Sequence, residues 1–201
     1  MQKIKTLAKL NYYILDEDDD VLKTIDRMNS KEYIGSKIPL ENKELILDNI
    51  CYLMRKKIEK KESNLEFKKC KERNSKDIYR YINRNMIDVP NTVEYSKKMV
   101  ETLIHGEFNE FIYIYDQKEF IGLVEISYEE IVPEITSIIV FNEFRNQGYG
   151  RKILQLVENY LSKEYDEMTI VVSNRNEVAY HLYESYGFEK ENSVMYYYMK
   201  V

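Results

Sequence analysis

Five consecutive acids, Asp16 to Asp20, precede an apolar set at Val21, Leu22, Ile25 and Met28. Acids at a helix start favour the positive end of the helix dipole, so this pattern predicts a helix beginning near Val21. Pro39 marks a loop over Ser36 to Leu40. From Glu41, the residues Leu45, Ile46, Ile50, Leu53, Met54 and Ile58 fall on one helical face, and the basic run Arg55 to Lys61 suits a helix C-terminus. The spacing therefore predicts a second helix there. Beyond residue 63 the period changes. Leu65 and Phe67 alternate with Glu66 and Lys68, as in a half-buried strand. Ser75 opens a short helix through Asn83, and Asn91 with Glu94 resembles a capping box for a helix reaching Leu103. Phe111 to Tyr115 and Phe120 to Ser127 read as a hairpin. A strand over Ile135 to Phe141, a helix carrying Ile153, Leu154, Val157, Tyr160 and Leu161, a strand over Met168 to Ser173, a helix over Val178 to Tyr186 and a terminal strand over Val194 to Val201 complete the chain.

This order predicts a mixed α/β (α+β) fold over residues 64–201, with a helical extension over residues 1–63. The extension has three candidate roles: capping the sheet, covering a substrate groove or forming a homodimer interface. The 201 residues allow one domain with a short appendage. No apolar run approaches the roughly 20 residues that span a bilayer, and the N-terminus has no secretory pattern. With only Cys51 and Cys70, a disulfide scaffold and a four-cysteine zinc site are excluded, so the expected location is cytoplasmic. The net charge of −5 argues against nucleic acid as a partner. Residues 1–63 hold 13 basic against 12 acidic side chains, and residues 64–201 hold 17 against 23, so the larger part has a field that attracts cations.

Asp16, Asp18 and Asp20 alternate as in a calcium loop, but Val21 and Arg27 stand where Gly and Glu are required, so a helix cap is the favoured assignment. No metal is expected at His105 or His181, since neither has a second ligand at a useful spacing. The informative segment is Arg145-Asn146-Gln147-Gly148-Tyr149-Gly150. It holds two of the chain's six glycines, between a predicted strand and a predicted helix. Such a turn aims free N–H groups at one point at the positive end of a helix, which suits a phosphate or pyrophosphate. The lysine of a Walker loop and the third glycine of a dinucleotide fingerprint are both missing.

Together with Asn176-Glu177-Val178-Ala179-Tyr180-His181-Leu182-Tyr183-Glu184-Ser185-Tyr186-Gly187-Phe188, this loop resembles the two signature segments of the GNAT superfamily of acetyl-CoA-dependent N-acetyltransferases. The resemblance covers residues 64–201. It implies a mostly antiparallel sheet flanked by helices, with acetyl-CoA as cosubstrate. Backbone N–H groups of Arg145, Asn146, Gln147, Gly148, Tyr149 and Gly150, and of Arg151, would hold the pyrophosphate. Ile138, Ile139 and Val140 would pair their backbone with the acetyl and pantetheine amides. Asn176 would contact the pantetheine arm, and Tyr183 would protonate the departing thiolate. Glu134 matches the catalytic glutamate of histone-type members and is the first candidate for the base, with Glu125 and ordered water as the others. The implied reaction is direct attack on acetyl-CoA by a primary amine, with a cationic small molecule favoured by the acidic field. The alternatives are acetylation of a protein or peptide, and a regulatory module that binds coenzyme A without turnover.

Overall fold

The computed structural model describes residues 1–6, 9–90 and 92–201. One ten-stranded sheet runs through them. Its strands in chain order are β1 (Gln2–Lys5), β2 (Asn11–Ile14), β3 (Tyr33–Ser36), β4 (Leu45–Lys57), β5 (Glu66–Lys69), β6 (Asn109–Asp116), β7 (Glu119–Ser127), β8 (Glu134–Val140), β9 (Glu167–Ser173) and β10 (Glu189–Lys200). Across the sheet the order is β1-β2-β3-β10-β4-β9-β8-β7-β6-β5. Only β2 with β3 and β8 with β9 pair in parallel. The helices are α1 (Val21–Arg27), α2 (Ser75–Asn85), α3 (Lys97–His105), α4 (Tyr149–Leu161) and α5 (Glu177–Tyr186).

The strand and helix order expected beyond residue 63 is the one observed. Helix α1 also lies where the acids predict it: Asp20 accepts from the Lys23 N–H, which gives the aspartate a capping role. Helix α3 starts later than expected, with Ser96 as its cap. Asn91, the expected cap, lies outside the described residues.

The N-terminal region differs from the expected helical extension. The segment predicted as a second helix is the 13-residue strand β4, held between β9 and β10. Asp48 is an extra residue between the pairs Leu47↔Tyr198 and Asn49↔Tyr197, and this bulge breaks the simple alternation of a half-buried strand. Its apolar run, rich in Ile and Leu, then fits a helical stripe by accident. Strands β1 to β3 also escape the pattern, because each has only four residues and β2 buries the adjacent Tyr12 and Tyr13 on opposite faces.

Two cores flank the sheet. On one face α4 and α5 close over Val124, Ile126, Ile135, Ile170 and Val172. On the other, α2 and α3 close over Phe111, Leu123 and Ile139. Strand β4 is tied to the first core by a buried pair, with Lys56 Nζ 2.6 Å from Glu158 Oε1. Burial pushes the Glu158 carboxyl up, but the bonds from Lys56, Tyr186 and the Glu59 N–H outweigh it and hold the group below the ordinary range. A third core joins α1 to β2, β3 and β10 through Tyr13, Ile25, Ile34 and Tyr198. No helix among the described residues is long and apolar enough to cross a membrane.

Candidate active site

The site begins with a defect in strand pairing. Ile126 of β7 pairs with Ile135, but Glu125 pairs with Ser137, so Thr136 is an extra residue in β8. A bulge of this kind bends its strand and sharpens the twist. On its other edge β8 meets β9 only at Glu134↔Thr169 and Ile135↔Ile170. From Thr136 onward the two strands part.

The parting leaves backbone groups without a strand partner. Phe141 N–H donates to Ile121 O at 3.0 Å, toward β7. Successive residues of a strand present their backbone to opposite edges, so Ile139 also faces β7, whereas Ile138 and Val140 face the gap. The Val140 carbonyl agrees, since it accepts from Arg145 Nε at 3.2 Å on that side. Of the three expected strand residues, two therefore offer an N–H to a ligand.

A cavity of about 340 Å³ occupies the gap and reaches both faces of the sheet. Ile138, Val172, Asn176 and Tyr183 line it from the α5 face, and Ile82 and Tyr95 from the α2–α3 face. Three larger cavities, of about 670, 600 and 520 Å³, are lined by none of these residues. Tyr183 is 8% exposed, and burial pushes its phenol well above the ordinary tyrosine value. Asn176 caps α5, its Oδ1 accepting from Ala179 N–H at 3.3 Å. The amide nitrogen is the end of that side chain left to turn toward a ligand.

At the end of β8 a short 3-10 turn, Asn142–Phe144, leads into the glycine loop. Gly148 sits at φ +79°, where a side chain would be strained, and serves as the cap of α4 without a side-chain bond. The first-turn N–H groups of α4 thus receive no capping oxygen and point outward. Gly150 allows close approach to α5, because a Cβ there would lie 2.8 Å from Leu182 Cδ2. No acid lies in the first turn, and Arg151 and Lys152 add positive charge.

Arg145 does not share this geometry. Its N–H donates to Asn142 O at 3.3 Å, and its guanidinium holds Val140 O, Asn85 O and Asp88. It braces the loop against β8 and the end of α2. Asn146 takes φ +61°, and Gln147 bonds back to Glu143 O at 2.8 Å.

The two expected carboxylates occupy different settings. Glu134 begins β8 and does not line the cavity. Burial raises its pKa, with help from the charges of Glu129 and Glu130. Glu125 is 3% exposed, and its Oε2 accepts from Tyr95 Oη at 3.0 Å and Ser137 Oγ at 3.2 Å. Both donors line the cavity. Burial raises the Glu125 pKa against the lowering effect of these bonds. Asn83 fixes Tyr95 by a two-way clamp, donating to Tyr95 O at 2.7 Å and accepting from its N–H at 2.9 Å. Neither Tyr95 nor Ser137 stands in a motif, so no local signal points to them.

A family profile described as the acetyltransferase (GNAT) domain matches residues 70–197. Among solved structures, the chain is similar to a GCN5-related N-acetyltransferase from Sphaerobacter thermophilus, with a TM-score of 0.62 at 13% identity over 86% of this chain and 61% of that one. It is also similar to the PaiA N-acetyltransferase from Thermoplasma acidophilum in complex with coenzyme A (TM-score 0.51, 16% identity, 68% of this chain and 99% of that one). A dodecameric spermidine N-acetyltransferase from Vibrio cholerae is similar too (TM-score 0.51, 19% identity, 68% and 94%). No curated protein matches the chain.

Proposed function

The chain belongs to the GNAT acetyltransferase family, and from that premise we propose that it transfers the acetyl group of acetyl-CoA to a primary amine on a cationic small molecule. The observation that carries the proposal is the cavity through the β8–β9 gap, which lets a thioester and an amine meet from opposite faces of the sheet. In this account the N–H groups of Gln147 to Arg151 hold the pyrophosphate at the start of α4. The pantetheine arm runs along the open edge of β8, meeting the N–H groups of Ile138 and Val140 and the amide of Asn176. One of the two N–H groups polarises the thioester carbonyl and stabilises the oxyanion formed by the attacking amine. Tyr183 protonates the sulfur as the carbon–sulfur bond breaks. Burial keeps the phenol protonated at neutral pH. The same dry surroundings raise the basicity of the departing thiolate, which favours the transfer.

An amine reaches the site protonated and must lose that proton before attack. Glu134 and Glu125 are the candidate bases. The geometry favours Glu125, because its two hydroxyl partners line the cavity and form a path for the proton. The acidic field of residues 64–201 supports a cationic acceptor, and the similar spermidine enzyme is consistent with one.

The pH profile tests the assignment of the base. The folded-state pKa of Glu125 is raised, so kcat/KM is expected to rise with pH through a midpoint above the ordinary value of about 4.3. Glu125→Gln should remove that limb and lower kcat by roughly 10²-fold or more, while Glu134→Gln leaves the limb in place. The stability effect has a definite sign. A carboxyl whose pKa is raised on folding binds more protons in the folded state, so it weakens the fold as pH rises from its unfolded to its folded pKa. Glu125→Gln should therefore stabilise the protein at pH 7 and have little effect below pH 4. An unchanged acid limb in Glu125→Gln would exclude Glu125 as the base.

A further inference from the structure

The cavity through the β8–β9 gap is bordered by uncharged side chains. Among the described residues, no Asp, Glu, Lys, Arg or His lines it. In the proposed transfer coenzyme A takes the α5 face, with Asn176 and Tyr183, so the amine takes the α2–α3 face. The wall there is Ile82, Met86, Val89, Pro90, Val93 and Tyr95, from α2 and the segment leading to α3. The hydroxyls beside it already have partners inside the protein. Thr92 Oγ1 donates to Val89 O at 3.1 Å, Ser137 Oγ donates to Glu125 Oε2 at 3.2 Å, and Ser173 Oγ bonds to Asn49 at 2.8 Å. Burial pushes the Cys51 thiol up to about 11, so it lines the cavity as a neutral group at pH 7.

The neighbouring carboxylates are engaged elsewhere. Glu125 lies behind Tyr95 and Ser137. Asp88 pairs with Arg145 at 2.7 Å, and Glu94 lines a separate cavity beside Ile4 of β1. The N-terminal strands hold the uncharged wall from outside. Thr6, which follows β1 and is 2% exposed, bridges Val93. Tyr197 of β10 lines the cavity too, and Tyr12 of β2 meets its ring edge-on at 5.4 Å.

Only one charge finds a partner in such a site. The reacting ammonium can pass its proton toward Glu125 through Tyr95 or Ser137. A second ammonium on the same small molecule would be buried without a carboxylate, and a carboxylate would be buried without a cation. We propose that the acceptor is an apolar monoamine, an alkyl or aromatic amine whose single charge is the ammonium that reacts. The acidic field of residues 64–201 draws this cation in. The uncharged wall then selects against diamines, polyamines and free amino acids. The inference rests on the proposed acetyl transfer and narrows its acceptor class.

The test uses the full chain, acetyl-CoA and amines matched in length at pH 7, butylamine against diaminopropane, with phenylethylamine as the aromatic member. The parent is expected to favour butylamine over the diamine by about 10²-fold in kcat/KM, because the second ammonium has no partner. Phenylethylamine should be accepted at least as well as butylamine. Met86→Glu places a carboxylate in the wall with little change in length. It should cut the ratio by about tenfold or more through gain on the diamine, with the KM for acetyl-CoA unchanged. Met86→Gln, polar but uncharged, should leave the ratio in place. Val89→Asp makes the same test from the adjoining turn if the Met86 variants do not fold. A parent that takes the diamine as readily as butylamine, or charged variants that leave the ratio unmoved, overturns the monoamine assignment while leaving the acetyl transfer intact. Failure of the folded parent to acetylate any amine overturns both.

Discussion

Tyr183→Phe is expected to lower kcat by about 10²–10⁴-fold, the usual contribution of a positioned general acid, with acetyl-CoA affinity nearly unchanged. The ring fills the same volume in either residue, so the cavity wall and its packing against Phe188 survive. Only the hydroxyl is lost. The departing thiolate then leaves unprotonated in a site where charge is poorly solvated, and the barrier rises. Steady-state rates, paired with a titration of the variant by coenzyme A, separate this loss from a binding defect. A variant that keeps the parent rate would show that the sulfur takes its proton from elsewhere.

The second large effect is a contrast between neighbours. Ile138 and Ile139 are adjacent in β8, yet their N–H groups face opposite edges, one the gap and one β7. Proline removes an N–H and disrupts a strand chiefly where that N–H is paired. Ile138→Pro should therefore fold, and lose about 10²–10³-fold in kcat/KM for acetyl-CoA, as when one oxyanion donor is removed. Ile139→Pro breaks a bond to β7 within the buried core around Phe111 and Leu123, and should instead fail as a fold. Circular dichroism and thermal unfolding distinguish the two. Equal folding defects in both variants, or full activity in Ile138→Pro, would contradict the backbone geometry assigned to the gap.

How much of this could be read from the chain depends on where each signal resides. Helix α4 was legible because Ile153, Leu154, Val157 and Leu161 form one buried face against a sheet, which preserves the helical period. The glycine loop was legible because Gly148 needs a backbone that few residues adopt. Strand β4 was not, since the bulge at Asp48 breaks its alternation, and the expected helical extension gave way to strands of the same sheet. The acceptor side was hidden for another reason. Tyr95, Glu125, Ser137, Ser173 and Tyr197 come from the segment before α3, β7, β8, β9 and β10, and no local spacing links them. Arg145 shows a limit of motif carry-over. The sequence places it in the loop, but only its contacts with Val140, Asn85 and Asp88 reveal a bracing role.

The proposed transfer depends on the loop before α4 and the open edge of β8 holding acetyl-CoA together. Isothermal titration of acetyl-CoA into the full chain tests it most directly. Saturable binding is expected at one site per chain, displaced by free coenzyme A. A folded protein that takes up neither ligand would contradict it.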